Sequence, residues 1–172
     1  ELSCPQVRSH KFWGYIKEDL AHLRLLLDDI SSFQSAGQLV RLAPCDLSAL
    51  LKDLVYAFLP ELNRRRIRLD AQGIQAGITA DGDAVRLKQA WMNLIKNAAE
   101  ALDDGGLIRL SLCREKESAV LTVADNGPGI PAQEADAIFL PYHTTKEHGT
   151  GLGLPIAREI AQAHGGALTC RS

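Results

Sequence analysis

The four cysteines of this 172-residue chain, Cys4, Cys45, Cys113 and Cys170, are scattered from end to end, and no pair has the spacing of a metal or redox motif. That argues against a zinc ribbon or a dithiol exchange site and predicts reduced thiols in a cytosolic protein. No apolar run approaches the ~20 residues needed to cross a bilayer, and none of the sequence reads as a secretory leader, so none is expected in this chain. Any membrane part is therefore expected outside this chain. Charge of neither sign dominates: 19 Lys and Arg stand against 21 Asp and Glu, a formal net charge of -2. A basic nucleic-acid surface is not expected from that balance. Repeats and low-complexity tracts are absent too. No Lys-Ser or Lys-Thr follows the glycine runs, which rules out a Walker A loop, and no G-x-G-x-x-G follows a strand, which rules out the dinucleotide fingerprint.

What is present is a composition of 46% hydrophobic and 23% charged residues, that of a soluble globular chain. The length suits one domain with a real core plus a short extra element. Trp13, Ile16, Leu20, Leu23, Leu27 and Ile30 recur three and four apart, with Phe12, Leu26 and Phe33 widening the stripe. This heptad-like pattern predicts one long helix over residues 10 to 36, closed by Gly37, that must pack against other helices. Pro44 breaks the chain, Asp46 is placed to cap, and Leu47, Leu50, Leu51, Leu54 and Phe58 predict a second helix. "IRLDA" and "GITA" read as short strands. Asp83 caps a third helix from about Ala84 to Leu102, closed by Gly105 and Gly106. "LIRLSLC" alternates, with Ile108, Leu110 and Leu112 on one face, and "AVLTVA" follows as the next strand. A polar, glycine-rich stretch from Gly127 to Gly149 leads to a helix over about Leu152 to His164 and a last short strand, "GALTC". The expected fold is α+β, a two-layer α/β sandwich with helices on one face of a mixed sheet, preceded by a helical arm.

Three stretches carry chemistry. In "NLIKNAAEAL", Asn93 and Asn97 are four apart, and Glu100 and Asp104 continue the same stripe beside an apolar one of Leu87, Trp91, Leu94, Ala98 and Leu102. A solvated helix face is one reading of such a polar row. Two asparagines in mid-helix nonetheless cost stability without any capping return, which favours a role. Their amide oxygens are neutral, hard ligands suited to Mg²⁺ already held by phosphates. "GTGLGLPIAREI" opens a helix behind glycines, with Pro155 in the first turn. Free N–H groups and the positive end of the helix dipole make that opening an anion site, a flexible cap being the alternative. In "DNGPGIP", Asp125 ends a strand and can accept from an exocyclic amine, while Gly127 and Gly129 let the backbone approach a flat ring. Adenine at Asp125, phosphates at the second glycine run and Mg²⁺ at the asparagines form one consistent arrangement.

In order and spacing these stretches resemble the catalytic, ATP-binding domain of bacterial two-component sensor histidine kinases, in the superfamily shared with gyrase, Hsp90 and MutL. "NLIKNAAEAL" resembles the N box, "DNGPGIP" the G1 box and "IFLPYHTTKEHGTGLGL" the F box running into the G2 box. "PYHTTKEHGTGLGLPIAREI" is further similar to the nitrogen-regulatory and sporulation-kinase branch. The resemblance implies the Bergerat-type ATP-binding fold over residues 39–172. Residues 1–38 would belong to the second helix of a dimerisation and phosphotransfer hairpin. It implies ATP and Mg²⁺ as cofactors, with Asn97 as metal ligand and Asn93 close to metal and phosphates. Asp125 would bind the adenine amine in a pocket shaped by Gly127 and Gly129. Gly149, Gly151 and Gly153 would wrap the phosphates, and Glu100, Ile130, Thr150, Leu152 and Leu154 would join the nucleotide site. Thr145 and Lys146 would lie in a lid spanning about Ala132 to His148, anchored by Phe139, with Lys146 either reaching a phosphate or remaining a solvated lysine.

By the same resemblance the partners are a response regulator and a second copy of the protein, joined through the hairpin in the full protein. The location is cytoplasmic, with any membrane anchor elsewhere. The phosphoacceptor histidine should be followed by an acid, and none of His10, His22, His143, His148 or His164 is. The acceptor is therefore expected outside this chain, and the family's final strand is expected to be missing or cut short. Three functions remain open: a histidine kinase, a gyrase-type ATPase, and a non-catalytic nucleotide-binding module. Asn93 separates the first two. Where the ATPases carry a glutamate that activates water, an amide cannot take a proton near neutral pH.

Overall fold

The structure is a computed structural model and describes residues 11–38, 41–146 and 149–172. His10, His148 and Cys4 lie outside the described residues. In chain order the elements are α1 (Lys11–Ala36), β1 (Ala43–Asp46), α2 (Leu47–Arg64), β2 (Arg68–Ile74), β3 (Thr79–Gly82), α3 (Ala84–Glu100), β4 (Leu107–Glu115), β5 (Ser118–Asp125), a 3₁₀ turn (Ala137–Phe139) and α4 (Gly153–Ala163).

The predicted caps close as expected. Asp46 accepts from the Ala49 N–H at 2.9 Å, and Asp83 accepts from the N–H groups of Val85 and Arg86 at 3.1 Å. The expected mixed sheet is present as three strands in the order β2-β4-β5, with β2 parallel to β4 and β5 antiparallel to it. A separate antiparallel pair, β1 and β3, sets Cys45 opposite Ala80. Pro44 therefore lies within a short strand rather than merely breaking the chain. On β4 the inward residues Ile108, Leu110 and Leu112 are buried. They meet Leu51, Leu54 and Leu62 of α2, Trp91, Ile95 and Ala98 of α3, and Ile156, Ala157 and Ile160 of α4 in one core. Each fully buried Leu or Ile there contributes about 1.5–3 kcal/mol, so this helix-on-sheet layer carries the stability.

Three expectations need correction. "GALTC" forms no strand: residues 167–172 have no ladder partner, although Leu168 packs on the core. β5 is an edge of the three-stranded sheet, but these residues make no ladder with it, and alternation without inter-strand hydrogen bonds does not make a strand. The third helix stops at Glu100 rather than Leu102. There the Arg65 guanidinium donates to the carbonyls of Ala99 and Leu102 at 2.9 and 2.5 Å, satisfying the helix end, and lies 3.9 Å from Asp104. Asp104 thus leaves the polar stripe of Asn93 and Asn97. The expected apolar stripe does face the core: Trp91 and Ala98 are buried, Leu87 and Leu94 pack at its edge, and Ile95, outside that stripe, is fully buried with them.

Helix α1 spans the predicted length but divides its apolar residues. Ile30, Phe33 and the buried Ala36 pack at its C-terminal end, where α1 lies against α4. Ile16, Leu20, Leu23 and Leu27 stay exposed.

Candidate nucleotide-binding site

Three segments distant in sequence meet above the C-terminal half of α3. Asn93 and Asn97 project from α3 one turn apart and on one face. The Asn93 Nδ2 donates to the carbonyl of Gly153, the first residue of α4, at 3.2 Å. The Asn97 Oδ1 and the Glu100 Oε2 both accept from the Lys146 ammonium, at 3.1 and 2.6 Å. Lys96 also reaches the Glu100 carboxylate, at 3.8 Å. Lys146 is thus not simply solvated: it closes the segment before the glycine loop onto α3. A hard amide oxygen and a carboxylate converging on one cation are the donor set that a divalent ion also takes.

The glycine loop itself is built by close backbone approach. Gly151 has φ +66°, and a Cβ there would lie 2.6 Å from the Tyr142 carbonyl carbon. Its own carbonyl accepts from the Tyr142 N–H at 3.1 Å, so only glycine fits. The Thr150 hydroxyl donates to Asp29 of α1 at 2.6 Å and accepts from the Leu152 N–H at 3.3 Å. The Leu152 side chain is fully buried in the core, so that residue can offer a ligand only its backbone. Leu154 is half-buried in the first turn of α4, and Gly149 forms a turn with Lys146.

At the end of β5 the Asp125 Oδ1 accepts from the Gly127 N–H at 2.9 Å, an Asx turn that aims the carboxylate. Gly127 is pressed against α3: a Cβ there would lie 3.0 Å from the Ala101 carbonyl oxygen. Asn126, which sequence reasoning passed over, locks the turn to the sheet, its Oδ1 accepting from the Leu107 N–H at 2.7 Å. The Ile130 N–H donates to the Ser172 hydroxyl at 2.6 Å, so the last residues of the chain border the turn. Burial, and then the nearby Asp125 carboxylate, push the Cys170 thiol up. Cys170 is therefore a neutral neighbour of this turn at neutral pH rather than a nucleophile.

Phe139 closes the 3₁₀ turn with its ring 5.1 Å from the Arg158 guanidinium of α4, a cation–π anchor for the segment it was expected to fix. Thr145 is exposed, and among the described residues no hydrogen bond or ion pair draws it into the cluster. Asp29, Arg158 and Ser172 escaped the sequence reading because each acts on a residue far away in the chain. Asn126 stands inside a quoted motif and could have been found there.

Residues 82–172 match the family described as histidine kinase-, DNA gyrase B-, and HSP90-like ATPase. The chain belongs to this family. Its nucleotide is accordingly ATP. Within the family it is similar to sensor kinases. It is 33% identical over 162 residues to the alginate biosynthesis sensor protein KinB of Pseudomonas aeruginosa, covering 91% of this chain and 27% of that protein. It is 42% identical over 96 residues to sporulation kinase C of Bacillus subtilis, covering 56% of this chain and 22% of that protein. Among solved structures, full-length ShkA in complex with AMPPNP superposes with a TM-score of 0.81 at 27% identity, over 98% of this chain and 36% of that one. The chain spans roughly a quarter of the length of the curated relatives it matches. The mixed sheet covered by helices on one face is the fold expected of the family.

Proposed function

We propose that this chain is the ATP-binding catalytic part of a cytoplasmic sensor histidine kinase, with residues 1–38 belonging to a dimerisation hairpin and residues 39–172 forming the catalytic domain. The observation that carries the reading is the meeting of Asn93, Asn97 and Glu100 with Gly153 and Lys146, which ties the N box to the two ends of the glycine loop. Asp125 accepts the adenine amine, and Gly127 and Gly129 admit the ring. Loop amides and the start of α4 receive the phosphates. Asn97 Oδ1, with Glu100 beside it, would hold Mg²⁺ in place of the Lys146 ammonium that bonds both here. Among the described residues no three His, Cys, Asp or Glu side chains converge on a metal site, so these residues would hold an ion brought in by the nucleotide phosphates rather than bind one alone. The ion supplies charge stabilisation at the phosphates.

Asn93 gives the site no general base for water. The γ-phosphoryl instead leaves ADP for an imidazole nitrogen: the bond to the β-phosphate oxygen breaks as the P–N bond forms. The acceptor histidine lies on the hairpin's other helix, and from it the phosphoryl passes to an aspartate of a response regulator. A gyrase-type ATPase would need a base at position 93, which this chain lacks.

A nucleotide titration tests the site. ATP should bind in the presence of Mg²⁺ and outcompete GTP, and Asp125→Asn should lower that preference, because a carboxylate accepts from the amine more strongly than an amide does. An unchanged ATP-to-GTP ratio in the variant counts against the adenine assignment.

A further inference from the structure

Thr150 of the glycine loop is held from outside the α/β layers. Its hydroxyl donates to Asp29 Oδ2 at 2.6 Å, a bond that spans 121 positions of sequence. A carboxylate can only accept, so the hydroxyl proton is committed to Asp29, and a lone pair on the same oxygen takes the Leu152 N–H. Leu152 is the N-cap residue of α4, and its side chain makes no capping bond. Amides at such a helix start are the donors that an anion would use. Here the Leu152 amide is turned toward Thr150. The Asp29 carboxylate sits one hydroxyl away from the loop, where the positive end of the α4 dipole favours a negative charge. Asp29 faces this contact half-buried, whereas its neighbour Asp28 points to solvent.

We propose that Asp29 of α1 sets the affinity of the glycine loop for nucleotide phosphates, acting through Thr150 and through its own charge. The docked position of α1 on α4 then weakens the hold on the more highly charged nucleotide. Asp29 is a positioning residue: it touches Thr150, not the nucleotide. The proposal rests on the ATP-site reading above. Carboxylate and phosphate compete for the same helix end, and the like charges repel across a few ångströms at a partly exposed surface. That repulsion corresponds to a change of roughly three- to tenfold in affinity, reduced by salt. It grows with the number of phosphates, which a purely structural role of Asp29 would not do.

The test is titration of the whole chain with ATP and with ADP at fixed Mg²⁺, at low and high salt. The parent is compared with Asp29→Asn, which keeps an acceptor oxygen for Thr150, and with Asp29→Ala, which keeps none and is a good helix former. Asp28→Asn removes the same charge one position away and serves as control. ATP should bind Asp29→Asn about fivefold tighter. ADP should gain by a smaller factor, and the ATP gain should shrink at high salt. Asp29→Ala should repeat the larger gain for ATP, and Asp28→Asn should match the parent. Equal gains for ATP and ADP, no gain, weaker binding, or an equal effect from Asp28→Asn would overturn the role of Asp29. A parent that binds neither nucleotide would overturn the site reading itself.

Discussion

Asparagine in mid-helix is a local disadvantage of a few tenths of a kcal/mol per residue relative to better helix formers, and α3 carries two of them. The structure shows where each amide is used: Asn93 bonds the first carbonyl of α4, and Asn97 takes the Lys146 ammonium. Residue type and a spacing of four were enough to single out this pair, because helical periodicity alone puts them on one face. Asn97→Ala should therefore leave the fold intact or slightly stabilised while removing the amide oxygen proposed as a metal ligand. Calorimetric titration should show a loss of ATP binding of at least tenfold with Mg²⁺ and much less without it; equal losses would sink the ligand assignment. The bonding partners were not legible. Nothing near Lys146 in sequence indicates that it reaches Glu100, 46 positions away.

The elements were legible where local chemistry ends them. Asp46 and Asp83 cap as their side chains dictate, and β4 alternates as written. Hydrogen bonding, first from the Arg86 N–H, holds the Asp83 carboxyl below the usual carboxylate range. A group whose folded pKa is depressed stabilises the fold above its unfolded pKa and loses that contribution as pH falls through the folded one. Asp83→Ala should thus cost about 1 kcal/mol near neutral pH. Its denaturant midpoint should converge on the parent's as the solution is acidified below the ordinary aspartate range. His164 ties the far end of α4 to the same cap: Nε2 accepts from the Asp83 N–H at 2.9 Å, so the proton sits on Nδ1 and is shared with the Ile160 carbonyl at 2.7 Å. The segment 132–146 contains only one 3₁₀ turn, Ala137–Phe139, pinned by Arg158. With most of its backbone outside any ladder, its amides should exchange much faster than those of β4, as hydrogen-exchange mass spectrometry would show. Protection equal to that of β4 would count against the proposal that it is a lid.

At the scale of the molecule, α1 presents Ile16, Leu20, Leu23 and Leu27, each 46–67% exposed, along the half that does not pack on α4. An apolar stripe of this length is expected to be covered by another helix. The chain should self-associate in sedimentation, and Leu23→Lys with Leu27→Lys should shift it towards monomer. The same chain should bind ATP yet acquire no acid-labile label from γ-labelled ATP, because effective molarity requires the attacking nitrogen in line with the phosphorus. Adding a hairpin helix with a histidine followed by an acid should restore labelling; label on the chain alone would point to an acceptor among its own histidines. Helix phases, caps, turns and the three nucleotide motifs were determined by the sequence itself, since each depends on neighbours within a few residues. Long-range geometry was decided only by the tertiary structure: Ser172 against Ile130, the absence of a strand at "GALTC", Arg65 closing α3, and Asp29 holding Thr150. These depend on which surfaces the buried core of β4, α2, α3 and α4 brings together, and no local pattern of residue types encodes that.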